Sequence, residues 1–331
     1  MALIRVEWDN AALKVIGQSR SILEVQEKIN KIAAGNTPVL LVGENGTGKE
    51  FFARMIHDLS PRNIRPFLAV NFAAIPKDLQ ESELFGYKLV ISAGRITRKI
   101  GKLGIADRGT VFLDKVAHME LVLQAKLLQM IEGGSFRQVG ERIPIKTNVR
   151  FVAATNSDLK EAVAQQTFLE GLYYRLNTYP IVLPPLRDRR DDLVLLVEHF
   201  LTIYCHRLNK EGLKMSPEAL EIMMHYPWPG NIDELQSCIE RAVILCNGQT
   251  ITLQNLDLHF PKTKPAASAK EIPLHTRSLQ EATQAATRAV EAQMIERALR
   301  ETGWNKSKAA AILQVSYKTL LTKIKEYGLE K

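Results

Sequence analysis

The chain has 331 residues, enough for two or three domains with cores of their own. Hydrophobic residues make up 46% and charged residues 24%, and no apolar run approaches the roughly 18 residues of a membrane span, which excludes a helical membrane protein. The net charge of +8 favours a polyanionic partner such as nucleic acid. Residues 1–9 lack the basic-then-apolar layout of a secretory signal. Cys205, Cys238 and Cys246 show neither a Cys-x-x-Cys pair nor metal-ligand spacing with histidine, so reduced core thiols in a cytoplasmic protein are expected.

In chain order, residues 38–42 form a short apolar run ended by Gly43, the pattern of a buried parallel strand. A glycine-rich loop follows, then a helix from Glu50 to about Leu59. Further strands are expected at Phe67–Asn71, Thr110–Asp114, Val149–Ala154 and Tyr179–Leu183. A helix over Leu121–Glu132 places Leu123, Leu127, Leu128 and Ile131 on one face. Strands alternating with helices imply a parallel sheet covered on both sides. From about Asp191 the strand signals stop. Residues 191–257 carry helical spacing (Leu193, Leu196, Val197, Phe200; then Leu220, Met223, Met224) broken at Pro227–Gly230, which predicts a small all-helical subdomain. Residues 261–277, with Pro261, Pro265 and Pro273, read as a linker, and helices resume over 278–331.

Gly43-Glu44-Asn45-Gly46-Thr47-Gly48-Lys49-Glu50 lies between a predicted strand and a predicted helix, the context a phosphate-binding loop requires. Its glycines let backbone N–H groups turn towards phosphate oxygens, the helix N-terminus adds its positive end, and Lys49 supplies a point charge. The sequence departs from the general pattern at Glu50, where a magnesium-binding hydroxyl is usual. Asp114, at the end of a core strand, is the candidate magnesium ligand. Hydrolysis also needs a carboxylate to orient and deprotonate water, usually at the next position; here that residue is Lys115, and an ammonium cannot act as the base at neutral pH. Glu50, Asp107 or another carboxylate would have to substitute.

At the other end, Asn305 caps a short helix through Leu313, Gln314-Val315 makes a turn, and Ser316 caps a second helix from Tyr317 to Glu326. Leu313, Val315, Leu320 and Ile324 are expected to share a core. Gln314 stands where a helix-turn-helix usually has glycine, which requires a helical or left-handed backbone there. Lys306, Lys308, Lys318, Lys323, Lys325 and Lys331 face few acids. Docking geometry puts the front of the second helix in the major groove, with Ser316, Tyr317, Lys318, Thr319, Thr322 and Lys323 towards bases or nearby phosphates. Lys306, Ser307 and Lys308 are assigned to the backbone. Upstream, Ala289, Met294, Ile295, Ala298 and Leu299 give a helix whose apolar face is expected to pair with a second chain.

Several ordered stretches carry a family resemblance: Gly43–Glu50; Glu81-Ser82-Glu83-Leu84-Phe85-Gly86; Ala153-Ala154-Thr155-Asn156; Leu172-Tyr173-Tyr174-Arg175-Leu176-Asn177; Leu183-Pro184-Pro185-Leu186-Arg187; and Trp228-Pro229-Gly230-Asn231-Ile232. Residues 14–260 resemble the AAA+ domain of the NtrC-type, sigma-54-dependent transcription activators, and 278–331 resemble their Fis-type DNA-binding domain. The resemblance implies an α/β fold: a P-loop parallel sheet (14–190) behind a tail (1–13), with a helical lid (191–260). The linker (261–277) and an all-α Fis-type helix-turn-helix (278–331) would follow, with no receiver or sensor domain in front. It further implies ATP or ADP with Mg2+, held by Gly43, Glu44, Asn45, Gly46, Thr47, Gly48, Lys49, Glu50, Asp114 and Asn156. Expected partners are double-stranded DNA and RNA polymerase, with self-association through a C-terminal dimer or an AAA+ ring.

The departures from that family fall on its working positions. The Gly-Ala-Phe-Thr-Gly-Ala loop that touches the sigma factor is matched by Val90-Ile91-Ser92-Ala93-Gly94-Arg95. The catalytic glutamate is Lys115, and the asparagine that restrains it is matched by Asn71. The first trans-acting arginine is Leu169, the lid arginine is Asp233, and the second trans-acting arginine survives as Arg175. The expectation is a regulator that binds nucleotide with weak or absent hydrolysis. An active sigma-54 ATPase and a partner subunit in mixed rings are the alternatives.

Overall fold

The computed structural model describes residues 15–91, 95–141 and 143–258 and, towards the C-terminus, 288, 291, 292, 294–296, 298–300 and 302–327. The expected tail (1–13) and linker (261–277) lie outside the described residues, as do 278–287, Ala289 and Lys331. The chain divides into two compact units at Phe260/Pro261.

In the first unit, strands β1 (Val39–Val42), β2 (Phe67–Asn71), β3 (Thr110–Asp114), β4 (Arg150–Thr155) and β5 (Tyr179–Val182) form one sheet in the order β2-β3-β4-β1-β5. All four pairings are parallel. Such strands are apolar throughout because both faces are covered. Val39, Leu41, Phe112, Val152 and Ala154 pack with Ile22, Val25 and Ile29 of helix α1 (Arg20–Ala33) and Phe52 and Ile56 of α2 (Lys49–Asp58). The alternate residues Leu40, Val111, Leu113 and Ala153 pack on the other face with Leu84 of α3 (Lys77–Phe85), Leu123 and Leu127 of α4 (Leu121–Gly133), and Leu172 of α5 (Glu170–Leu176). Leu128 and Ile131 border that core, as the α4 spacing predicts.

Between α3 and β3 the chain forms an antiparallel hairpin, Gly86–Ile91 with Arg95–Ile100, in place of the expected surface loop. Cross-strand pairing explains this: the stretch is long enough to make its own ladder, and Val139 clasps its base by donating to Gly86 O at 3.0 Å. Gly86 has φ +81°, and a Cβ there would lie 2.4 Å from Lys99 O. Ser92–Gly94 lie outside the described residues.

The expected all-helical subdomain contains α6 (Leu193–Arg207), α7 (Pro217–His225) and α8 (Asn231–Leu245), around a core that includes Leu196, Phe200, Trp228 and Ile239. It is not wholly helical. Lys214–Met215 pairs in parallel with Thr250–Ile251, a two-residue ladder too short to leave a periodic signal. Among the described residues, no helix is long and apolar enough to cross a membrane.

Two buried charges tie α1 to its surroundings. Arg150, 1% exposed, donates to Ala33 O (2.6 Å) and Ile32 O (2.8 Å), so a cation neutralises the C-terminal end of α1. Burial pulls its pKa down to about 10, still above neutral pH. Asp192, fully buried just before α6, accepts from Gln18 N (2.6 Å), Ser19 N (2.8 Å) and Ser19 Oγ (2.6 Å) at the start of α1. Asp192→Ala would strand three donors, two of them buried, and should cost about 3 kcal/mol. The check is the midpoint shift in urea unfolding, which Asp192→Asn, keeping an acceptor, should roughly halve.

The second unit is built from a helical segment through Ile295–Leu299, then α9 (Lys306–Ile312) and α10 (Tyr317–Glu326). Ile295, Ala298, Leu299, Ala309, Ala310, Leu320 and Ile324 form its buried core, with Leu313 at the edge. Two expectations are corrected here. Val315 is 39% exposed, because the left-handed turn at Gln314 carries it out of the core. Ile295, Ala298 and Leu299 bury against their own helix-turn-helix rather than facing a second chain; Met294, 57% exposed, stays outside.

Candidate functional site

Parallel register brings the ends of β1, β3 and β4 to one edge of the sheet: Val42 lies beside Thr155, and Leu113 beside Ala153. The glycine-rich loop after β1, Asp114 and exposed Asn156 emerge there. This edge is where an open parallel sheet binds ligands. The loop begins with Gly43 N donating to Thr155 O at 3.1 Å. Gly46 (φ +75°) and Gly48 (φ +92°) take left-handed conformations, and α2 starts at Lys49. Thr47 Oγ1 donates to Glu44 O at 2.8 Å, and Lys49 Nζ donates to Gly43 O (2.8 Å) and Glu44 O (2.7 Å). Glu50, in the first turn of α2, is exposed.

The lid closes over this loop at van der Waals range. A Cβ on Gly46 would sit 2.1 Å from Gly230 O, and Ile232 N donates to Gly46 O at 2.9 Å. Asn231, fully buried with φ +52°, donates to Asn45 O (2.8 Å) and Glu44 Oε2 (3.2 Å) and accepts from Leu186 N (2.8 Å). Arg187 grips the Glu44 carboxylate with two bonds of 2.8 and 2.6 Å. The Arg187 guanidinium and then the Asn231 amide hold the Glu44 pKa down to about 2. Sequence reading recorded Asn231 and Arg187 only as family markers. An asparagine as the first residue of a helix, tolerant of positive φ, was the available signal for a structural role.

Asp114 pairs across the ladder with Asn71, whose Oδ1 accepts from Ala73 N at 3.0 Å. Lys115 stands next to it with φ +55°, unusual for a lysine, and its N–H donates to Asp114 Oδ1 at 2.9 Å. Burial raises the Asp114 pKa, opposed by Lys49 first and then by the Lys115 N–H and charge. Burial lowers the Lys49 pKa; Asp114 opposes that, while Lys115 reinforces it. Asp233, in the first turn of α8, is exposed as a residue, yet partial burial of its carboxyl raises its pKa against the pull of Lys49.

Other sequence candidates do not converge here. Arg175 is on the surface, its Nε 3.0 Å and Nη2 2.9 Å from Glu132 Oε1. Leu169 donates its N–H to Gln124 Oε1 at 2.7 Å while its side chain packs on the core beside Phe168. Asp107 precedes β3, about 13 Å of strand away from Asp114, and accepts from Thr147 Oγ1 and Asn148 N, both at 2.9 Å. It cannot serve as a replacement base.

In the second unit, Asn305 Oδ1 accepts from Lys308 N (3.2 Å) and Ser316 Oγ from Thr319 N (3.1 Å), so both helix starts are capped as predicted. Gln314 has φ +52°, the left-handed turn that the sequence required. Ser307, Lys308, Tyr317, Lys318, Thr319 and Thr322 are exposed and Lys306 is half-buried. Thr322 Oγ1 bonds back to Lys318 O at 3.0 Å. Lys323 differs: its ammonium is 2.5 Å from Glu291, which also accepts from the Tyr327 hydroxyl.

Comparison with known proteins agrees with this geometry. Residues 15–182 match the family of the sigma-54 interaction domain, 187–273 the AAA+ ATPase lid domain, and 286–327 the bacterial regulatory protein, Fis family. The chain is 37% identical to nitrogen fixation protein AnfA of Azotobacter vinelandii, over 98% of this chain and 62% of that protein. It is 38% identical to regulatory protein AtoC of Escherichia coli K12, over 96% of this chain and 68% of that protein. Crystal structures of NtrX from Brucella abortus align at 30% identity, with TM-scores of 0.71 in complex with ATP and 0.69 in complex with ADP. They match 95% and 96% of this chain and 70% and 69% of theirs. The chain thus spans about two thirds of these relatives. With a P-loop sheet, a lid closed on the loop and a Fis-type helix-turn-helix, it belongs to the NtrC family of sigma-54-interacting AAA+ transcriptional regulators.

Proposed function

We propose that this chain is a cytoplasmic, DNA-binding transcription regulator whose AAA+ domain holds ATP or ADP, hydrolyses ATP weakly or not at all, and does not drive sigma-54 polymerase. One observation carries the reading: the residue beside Asp114 is Lys115, an ammonium where a water-activating carboxylate is required. Nucleotide binding is supported by the loop, the α2 start and Lys49, and by the nucleotide complexes of NtrX. Weak turnover is further supported by Leu169, a half-buried apolar side chain packed against the core at the position where a neighbour's site would need a cation. Asp233 brings an acidic residue beside the loop, its Cβ 3.3 Å from where a Gly46 Cβ would lie. Such a regulator would self-associate, through a C-terminal dimer or an AAA+ ring, and would repress or act with RNA polymerase carrying another sigma factor.

A second reading, a partner subunit in mixed rings, is favoured by Arg175, exposed and held only by a surface ion pair with Glu132. It could serve a neighbour's nucleotide although this chain's own site lacks its base. Co-purification with an intact homologue tests it.

Purified protein should release phosphate from ATP at background rate. A trans-acting arginine alone is worth about 10³–10⁵ in rate, so Lys115→Glu by itself should not restore turnover, whereas Lys115→Glu combined with Leu169→Arg and Asp233→Arg should. Ordinary steady-state turnover by the wild type would sink the reading. For DNA, Lys318→Ala should lower the slope of log affinity against log salt by about 0.9, measured by fluorescence anisotropy on a duplex. Lys323→Ala should lower it by less than half as much, because Glu291 already holds that charge.

A further inference from the structure

A cleft of about 920 Å³ opens between the segments that leave β2 and β3. None of its lining residues belongs to the phosphate loop. Its walls are 72–77 after β2, 117–122 after β3, and 166–167 ahead of α5. Two buried glutamines fix these walls. Gln80, 2% exposed in α3, donates from Nε2 to Phe72 O (3.0 Å), Ile75 O (3.4 Å) and His118 O (3.3 Å), so one amide ties the first wall to the second. Gln124, fully buried in α4, donates from Nε2 to Met119 O (2.9 Å) and Thr167 O (3.1 Å), tying the second wall to the third. A cleft held this way is formed before a ligand arrives, and its volume lies within the roughly 300–1,000 Å³ of small-molecule sites.

The two amides differ in one respect. Gln124 also uses its oxygen, which accepts from Leu169 N at 2.7 Å. Gln80 Oε1 is buried and has no hydrogen-bond partner among the described residues. The three carbonyls around Nε2 fix which arm of the amide is the oxygen, since turning it over would set oxygen against oxygen. A buried acceptor left unpaired is costly, and a donor recovers that cost. The rest of the lining is mainly apolar: Phe72 and Met119 are buried, Ile75 is half-buried, and Leu121 and Val122 are exposed at 45% and 65%. Lys77 and Glu120, both exposed, oppose each other in sign, so the lining favours no net ligand charge.

We propose that this cleft binds an uncharged, largely apolar small molecule carrying a hydrogen-bond donor, which Gln80 Oε1 accepts. The site shares no residue with the phosphate loop, so the proposal does not depend on nucleotide binding or turnover. Its walls nevertheless run on from Asp114 and Lys115 on one side and into Leu169 on the other, so a molecule held there would bear on both segments.

The probes are indole, a flat apolar molecule with one N–H, and 1-methylindole, which lacks that donor. Each is titrated against the full chain by ligand-observed NMR. Indole should bind with a dissociation constant of about 1 mM or tighter, and 1-methylindole about tenfold more weakly. Gln80→Met, which keeps the length and loses the acceptor, should bring both probes to the weaker value. Val122→Trp, at an exposed position on the lining, should weaken both with little change in the thermal unfolding midpoint. The comparison of the two probes needs only the wild-type chain, so it decides even if Gln80→Met fails to fold. Equal binding of the probes, or none by either, would overturn the proposal. So would indole binding that survives Val122→Trp unchanged, which would place the probe elsewhere. Binding seen only in dilute protein, with light scattering showing self-association that Val122→Trp abolishes, would make a second copy the occupant and overturn the proposal as well.

Discussion

The site depends on Asn231. Its amide is buried, its backbone is left-handed, and its three hydrogen bonds run to two residues of the phosphate loop and one of the segment entering the lid. Remove them and buried polar groups on both sides of the junction lose their partners, each at about 1–3 kcal/mol. Gly46 can sit against the Gly230 carbonyl only because it carries no side chain, and Asn231 holds the approach. The phosphate loop is therefore shaped by the protein before any ligand arrives.

That preorganisation separates binding from turnover. A loop held in shape by protein contacts has less ordering cost left when a phosphate enters. Turnover asks for different things: a base beside Asp114, a cation from a neighbouring subunit, and a lid that presents positive charge. The chain offers Lys115, an inward-packed Leu169 and Asp233. These are separate positions on separate elements, and all move the chemistry in one direction while the binding scaffold stays whole.

Much of the fold was legible in the sequence. Thr110–Asp114 coincides with its predicted strand because a buried parallel strand is apolar throughout and ends at a turn residue, and Phe67–Asn71, an edge strand with only Val70 buried, coincides as well. Both helix caps of the C-terminal unit followed from Asn305 and Ser316. The hairpin at 86–100 escaped, since Val90–Arg95 resembles a family loop and Lys88, Arg95, Arg98 and Lys99 break up the apolar run. The Lys214–Met215 ladder was too short to show any period. The face carrying Ile295, Ala298 and Leu299 misled for another reason: an apolar stripe looks the same whether its cover comes from its own chain or a second one.

The sequence by itself determined the parallel sheet, the phosphate loop, the capped helix pair and the replacement of a carboxylate by Lys115, because each is a matter of residue type at fixed spacing. Only the tertiary structure decided which charges are already engaged. Lys323 is held by Glu291, Glu44 by Arg187, Asp107 by Thr147 and Asn148 at the far end of its strand, and Asp114 accepts the Lys115 N–H. The physical reason is distance: charge energies fall with separation and with exposure to water, and chain position encodes neither.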